Sequence, residues 1–313
     1  MKEKLIAVVG PTAVGKTKAG VEIARHFNSE VISGDSMQVY KGLDIGTAKV
    51  TPEEMGEVPH HMINIKKPGE SFTAAEFQEK ARRLVTDINQ KGSIPVVVGG
   101  TGLYIRALTR NFSFNEAEKD EGFRKSLEEK AEKFGKEAVH QKLWETDPKS
   151  AKEIPPQNLR RVIRALEIYH LTGKTMDRFY EQEEDETPYN LQLIGLSMER
   201  EKLYQRINER VDQMMKEGLL EEVQWLYDRG LQGSQSARGI GYKELLMHLE
   251  GKASLSEAVE LLKRNSRRYA KRQLTWFRNK ENVEWFDMSQ DNHNEKIKEM
   301  ISFLEGKYEK GVE

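Results

Sequence analysis

The segment Gly10-Pro11-Thr12-Ala13-Val14-Gly15-Lys16-Thr17 has the residue types and spacing of a phosphate-binding loop. Its glycines let the backbone bend until successive N–H groups point into one concavity. A following helix adds partial positive charge there, Lys16 adds a full one, and the Thr17 hydroxyl can ligand Mg2+. A plain glycine-rich turn is the alternative. The apolar run Leu5–Val9 before the loop and the helical pattern Lys18–Phe27 after it favour the phosphate site. The loop therefore binds a di- or triphosphate.

Phosphoryl transfer ordinarily also needs an Asp at the end of an apolar strand to hold Mg2+. Here Val96-Val97-Val98 runs into Gly99-Gly100-Thr101, with no acid. The nearest substitute is Asp35, in Ser33-Gly34-Asp35-Ser36-Met37-Gln38. It can form an Asx turn or cap, organise a metal, or act as a base on something held over the phosphate. Beside the glycine loop, a functional role leads.

Short apolar strands alternating with helices must position these groups. Leu5–Val9, Glu30–Ser33, His61–Ile65 and Ile94–Val98 read as parallel strands, with helices at Lys16–Phe27 and Thr73–Lys91. Ligands in such sheets lie beyond the carboxyl ends of the strands, where Gly10–Thr17, Gly34–Gln38 and Gly99–Tyr104 converge. From about Asn115 charged helices take over: Asp120–Lys133, Lys136–Trp144 and Pro156–Leu171. Asn190–Ser197 reads as a strand rejoining the sheet, followed by long helices at Arg200–Arg229 and Leu255–Asn279 and a last strand at Val283–Asp287. The expected fold is α/β: a P-loop core with a mainly parallel sheet (1–113 and 196–313) and a helical insertion (114–195).

Net charge is only −1, but its distribution is uneven. Lys263, Arg264, Arg267, Arg268, Lys271, Arg272, Arg278 and Lys280 share one stretch with no acid, while acids gather at Glu116–Glu137 and Glu181–Glu186. Such asymmetry suits a local nucleic-acid footprint on a neutral protein. Cysteine is absent, which excludes disulfides, thiolate metal sites and cysteine nucleophiles. No apolar run is long enough to cross a bilayer, and no leader fits before the first strand, so a cytoplasmic enzyme is expected; a monomer is expected too, though nothing in the sequence argues for it. Adjacent His60 and His61 do not share a helix face, so a structural role is expected. Trp276 and Phe277 sit on an amphipathic helix, where core packing competes with base stacking.

Together the glycine loop, Ser33–Tyr40, Asp44-Ile45-Gly46-Thr47-Ala48-Lys49, Gly99–Tyr104, Ala237–Tyr242 and Lys271–Arg278 closely resemble the tRNA dimethylallyltransferases, over nearly the whole chain. The resemblance implies transfer of a dimethylallyl group from its diphosphate to N6 of adenosine 37, next to the tRNA anticodon. It implies Asp35 as general base, Thr101 as a hydrogen-bonding partner near the nucleotide, and Lys16 with the loop residues and Mg2+ on the leaving diphosphate. Arg210 and Arg238 are candidates for pyrophosphate or backbone contacts. Asp35, Ser36, Met37, Gln38 and Thr101 would meet the extruded nucleotide. Gln157, Asn158, Leu159, Arg160 and Arg161, with Lys271, Arg272 and Arg278, match tRNA-contact segments. Without cysteine for a zinc finger, the chain looks like the short bacterial form. An adenylate isopentenyltransferase, a P-loop kinase and a nucleotide-switched RNA-binding protein are the rival readings.

Overall fold

The computed structural model describes residues 2–110, 120–180, 187–290 and 292–309. It divides into two compact units, Met1–Thr109 with Thr187–Glu313, and Arg110–Glu186.

The first unit holds β1 (Lys4–Val9), β2 (Val31–Ser33), β3 (His60–His61), β4 (Val96–Gly99), β5 (Asn190–Ser197) and β6 (Glu284–Asp287), ordered β3-β2-β4-β1-β5-β6. Every pairing is parallel. Its helices before the second unit are α1 (Lys16–His26), α2 (Pro52–Met55), α3 (Ala74–Gln90) and α4 (Gly102–Thr109). Both faces of the sheet are covered, which is why β1 is apolar almost throughout. Leu5, Ala7 and Val9 enter one core with Phe77, Val97 and Phe277; Ile6 and Val8 enter the other with Ile23, Val96 and Ile194. The twofold alternation of strand side chains produces this division.

The second unit comprises α5 (Glu121–Phe134), α6 (Lys136–Thr146), α7 (Pro148–Glu153), α8 (Leu159–Thr172) and α9 (Met176–Tyr180). They pack around Leu127, Val139, Leu143, Val162 and Leu166. Fully buried Glu167 accepts from Arg124 Nε at 2.7 Å and Arg164 Nη1 at 2.6 Å, so the buried carboxylate is paired. The acidic stretch 181–186 lies outside the described residues.

The chain returns to the first unit through β5, then α10 (Arg200–Lys216), α11 (Leu219–Asp228), α12 (Tyr242–Leu249), α13 (Leu255–Lys280) and α14 (His293–Glu309). Three expectations need correction. Residues 190–195, assigned to the helical insertion by its expected boundary, form part of strand β5. The expected helix Arg200–Arg229 is two helices, because Gly218 takes φ 101° between them. The expected strand His61–Ile65 shrinks to its start, since Met62 and Asn64 adopt φ 63° and 56°, which turns the backbone out of the extended region.

Candidate active site

Val9 on β1 is in register with Gly99 on β4, and Ser33 on β2 with Val98. The three loops that follow therefore leave the sheet side by side. A Cβ on Gly10 would lie 2.6 Å from the Leu196 carbonyl, and its φ is 147°; the tight exit from β1 demands glycine on both counts. Gly15, at φ 105°, precedes the first turn of α1, whose free N–H groups face the loop. Lys16 folds back over the loop and donates from Nζ to the Pro11 carbonyl at 2.7 Å. Burial lowers the Lys16 ammonium pKa to about 8; Asp35 acts against this shift and Arg210 adds to it. Burial also lowers the pKa of Arg210. Two cations are thus held where water stabilises them poorly, and an anion would compensate both.

Asp35 makes an Asx turn, the alternative the sequence left open, with one oxygen only. Its Oδ1 accepts from Met37 N at 2.8 Å and, more weakly, from Gln38 N at 3.4 Å. Its Oδ2 takes no hydrogen bond among the described residues. The turn therefore leaves one carboxylate oxygen available. Thr101 Oγ1 accepts from Ser36 N at 3.3 Å, tying the β4 loop to the Asp35 loop.

Two cavities open around these groups. One, of about 430 Å³, is lined by Gly15, Lys16, Thr17, Asp35, Arg206 and Arg210. The other, of about 370 Å³, is lined by Asp35, Ser36, Met37, Met214, Arg238 and Arg272. Thr12, Asp35, Thr47, Arg210 and Tyr269 border both. Asp35 thus faces both of two adjoining cavities that share part of their lining.

Several expected placements change. Arg238, expected to reach pyrophosphate, is exposed and lines only the second cavity, while Lys16 and Thr17 line only the first. Gln38, expected to meet the nucleotide, has its amide occupied. Oε1 accepts from Ser33 Oγ at 2.9 Å, and Nε2 donates to the Ala48 carbonyl at 3.2 Å. Leu159 packs against the core of the second unit rather than presenting its side chain to a partner; Gln157, Asn158, Arg160 and Arg161 are exposed. His61 pairs with Glu30 Oε2 at 2.5 Å, a structural role, whereas His60 also borders the first cavity. Phe277 is fully buried, and Trp276 packs against the Gly102 backbone, so core packing accounts for both aromatics.

The basic stretch also divides. Lys263 pairs with Asp212 at 2.7 Å and Arg267 donates to Asn208 Oδ1 at 2.5 Å, both on α10. Arg264, Arg268, Lys271, Arg272 and Arg278 are exposed. Helical spacing puts these five on one stripe of α13. Arg272 also borders the second cavity.

Two site residues escape sequence reasoning. Gln273 accepts from Thr12 N at 2.9 Å and donates to the Gly100 carbonyl at 2.9 Å, locking the phosphate loop to the β4 loop. Tyr269 lies beside the side chains of Thr101 and Gln273, and burial pushes its hydroxyl pKa up to about 12. Both lie one helical turn apart on the inward face of α13. Their signal in the sequence is a Tyr and a Gln four apart amid cations. Gln273→Ala is expected to cost about 1–3 kcal/mol of stability, because it strands one buried donor and one acceptor; denaturant unfolding measures it.

The donors suit a hard cation as well as an anion. Thr17 and Asp35 bring oxygen ligands to the first cavity. Among the described residues no three His, Asp or Glu side chains cluster to hold a metal by themselves.

The chain and its fold resemble known proteins. The family model for IPP transferase matches residues 38–280. The tRNA dimethylallyltransferase of Halalkalibacterium halodurans is 57% identical over 310 residues, covering 99% of each chain. That of Geobacillus thermodenitrificans is 54% identical over 308 residues, covering 98% of each. The crystal structure of the tRNA isopentenylpyrophosphate transferase from Bacillus halodurans matches with a TM-score of 0.76 at 55% identity, over 99% of this chain and 98% of that one. A eukaryotic dimethylallyltransferase, solved acting on tRNA, matches at 0.78 with 31% identity, over 92% of this chain and 74% of that one. A phosphate loop without a strand-end acid, an Asp shared by two cavities, and this likeness along the whole length place the chain in the IPP transferase family, among the tRNA dimethylallyltransferases.

Proposed function

We propose that this chain transfers the dimethylallyl group of dimethylallyl diphosphate to N6 of adenosine 37 in tRNA, releasing diphosphate. The observation that carries the reading is Asp35 on the wall common to the two cavities. Diphosphate on the loop and adenine in the second cavity would bring the allylic carbon and the amine together beside that carboxylate.

The allylic C–O bond breaks with its electron pair leaving on diphosphate, and the N6 lone pair forms the new C–N bond. Loop N–H groups, Lys16 and Arg210 stabilise the charge that develops on the leaving group. The Thr12 N–H is already engaged by Gln273, so the donors further along the loop are the ones free for phosphate. Asp35 accepts the amine proton through Oδ2, the oxygen its turn leaves free. Thr17 would help hold a Mg2+, which would supply further neutralisation of negative charge when bound. Tyr269 borders the space in which the base would be held, and Thr101 braces the Asp35 loop through Ser36 N.

A folded anticodon loop must extrude its base to reach such a site, and phosphate contacts must hold the rest of the RNA. The exposed cations of α13 and the exposed Arg160 and Arg161 at the start of α8 suit that task. A free nucleotide would need neither, and a kinase would need the acid that β4 lacks. Replacing Arg160 and Arg161 together with Ala is expected to weaken tRNA binding and to flatten its salt dependence. The slope should fall by about 0.7–0.9 for each phosphate the variant no longer neutralises. An unchanged slope would put both arginines off the RNA path.

A donor labelled both in the prenyl carbons and in the diphosphate tests the reaction itself. Carbon label in the RNA and phosphorus label only in released diphosphate is the expected outcome; phosphorus label in the RNA would mean phosphoryl transfer.

A further inference from the structure

Glu222 on α11 and Tyr242 at the start of α12 border neither cavity. Yet they join the two loops that wall the second one. One of these carries Gly46, which borders only the second cavity, followed by Thr47 and Ala48, which border both; the other carries Gly239, Ile240 and Gly241, which border only the second. Glu222 Oε2 accepts from Asp44 N at 2.7 Å and Ile45 N at 2.9 Å, and Oε1 from Gly46 N at 2.9 Å. Three successive N–H groups of a turn converge on one carboxylate, as the free N–H groups of a helix start converge on an anion. The fourth bond comes from the Tyr242 hydroxyl, which donates to Glu222 Oε1 at 2.6 Å.

The Tyr242 ring then fits between the loops. A Cβ on Gly46 would meet its Cζ at 2.7 Å, and one on Gly239 would meet its Cδ2 at 3.2 Å. Glycine at both positions lets the two loops approach a single buried ring. The other end of the first loop is held separately, by Lys49 Nζ on the Tyr40 carbonyl and on Asn64 Oδ1.

We infer that Glu222, acting with Tyr242, is a positioning residue that sets the width of the second cavity and so governs capture of the adenosine, with no part in holding diphosphate. The inference rests on the proposed function for the identity of that ligand. Only a carboxylate can accept all four bonds. The amide of Gln would turn its NH2 toward at least one backbone N–H that is itself a donor.

The test compares wild type, Glu222→Gln, Tyr242→Phe and the double variant. Glu222→Gln is expected to raise KM for tRNA about tenfold, the scale of a lost charged hydrogen bond. Tyr242→Phe, which keeps the ring, is expected to raise it about threefold, and the double variant no further than Glu222→Gln, because the two groups share one bond. Affinity for inorganic pyrophosphate, read by calorimetry, stays within about twofold of wild type in all of them. Amide hydrogen exchange gives a readout independent of turnover: the Asp44, Ile45 and Gly46 amides are expected to exchange about tenfold faster in Glu222→Gln.

Unchanged KM for tRNA in Tyr242→Phe and in folded Glu222→Gln overturns the inference. So does an equal loss of pyrophosphate affinity, which would mark a general structural role. Should Glu222→Gln fail to fold, Tyr242→Phe decides alone. A wild-type enzyme that prenylates no tRNA overturns the proposed function instead; the exchange rates would then still show whether Glu222 holds the loop.

Discussion

Asp35→Asn is expected to lower the single-turnover rate about a thousandfold, within the usual range for loss of a positioned base, while leaving tRNA binding intact. The adenine amine is a poor nucleophile because its lone pair is delocalised into the ring, so its proton must be taken as the C–N bond forms. Asn is the informative replacement. The Asx turn uses only Oδ1, which accepts from Met37 N and Gln38 N, and an amide oxygen supplies the same acceptor. The loop therefore keeps its shape while Oδ2 loses its basicity. Ala would remove both functions together and leave the cause of any loss ambiguous. Rapid-quench measurement of prenyl transfer, alongside a tRNA binding isotherm, separates the two effects. Near-normal turnover would remove Asp35 as the base.

Lys16→Ala is expected to reduce kcat/KM about 100- to 1000-fold, the effect of deleting one donor aimed at developing charge. Lys16 also predicts a pH dependence. Burial brings its pKa down from 10.5 to about 8 in the free protein. Between those values the unfolded chain still binds a proton that the folded chain has released, so rising pH stabilises the free protein across that window. Diphosphate acts in the opposite direction, because a bound anion favours the ammonium. Its affinity should fall as pH rises above about 8, and its binding should take up protons there. Calorimetry in buffers of different ionisation enthalpy measures the uptake. Wild type should show it and Lys16→Ala should not; uptake that persists in the variant would assign the proton to another group.

The parts legible in the sequence are those written locally. Leu5–Val9 followed by Gly10–Thr17 announces a strand, a tight turn and a helix within a short stretch, and the parallel sheet follows from repeated apolar runs. Asp35 stands out because it ends a strand beside the glycine loop. Contacts between distant segments are not legible. Gln273 reaches Thr12 across 261 positions, and Glu222 reaches Asp44 across 178, so neither pairing leaves a local pattern. The basic stretch misleads in part, because composition does not show which cations face inward. Helical phase sends Lys263 and Arg267 to partners on α10 and leaves Arg264, Arg268, Lys271, Arg272 and Arg278 exposed. Gln38 misleads differently: proximity to Asp35 suggests a ligand contact, but its amide braces the Thr47–Ala48 turn. Polar residues near a site serve its walls as readily as its contents.

A phosphate loop is by itself compatible with any nucleotide. With Asp35 between two cavities and no acid at the end of β4, it is better understood as a cradle for a leaving group. The most direct test offers the wild-type enzyme labelled dimethylallyl diphosphate with Mg2+ and, as competing acceptors, unmodified tRNA and AMP. Label on N6 of adenosine 37 of the tRNA, with AMP unlabelled, is the predicted result. Equal labelling of AMP would contradict it.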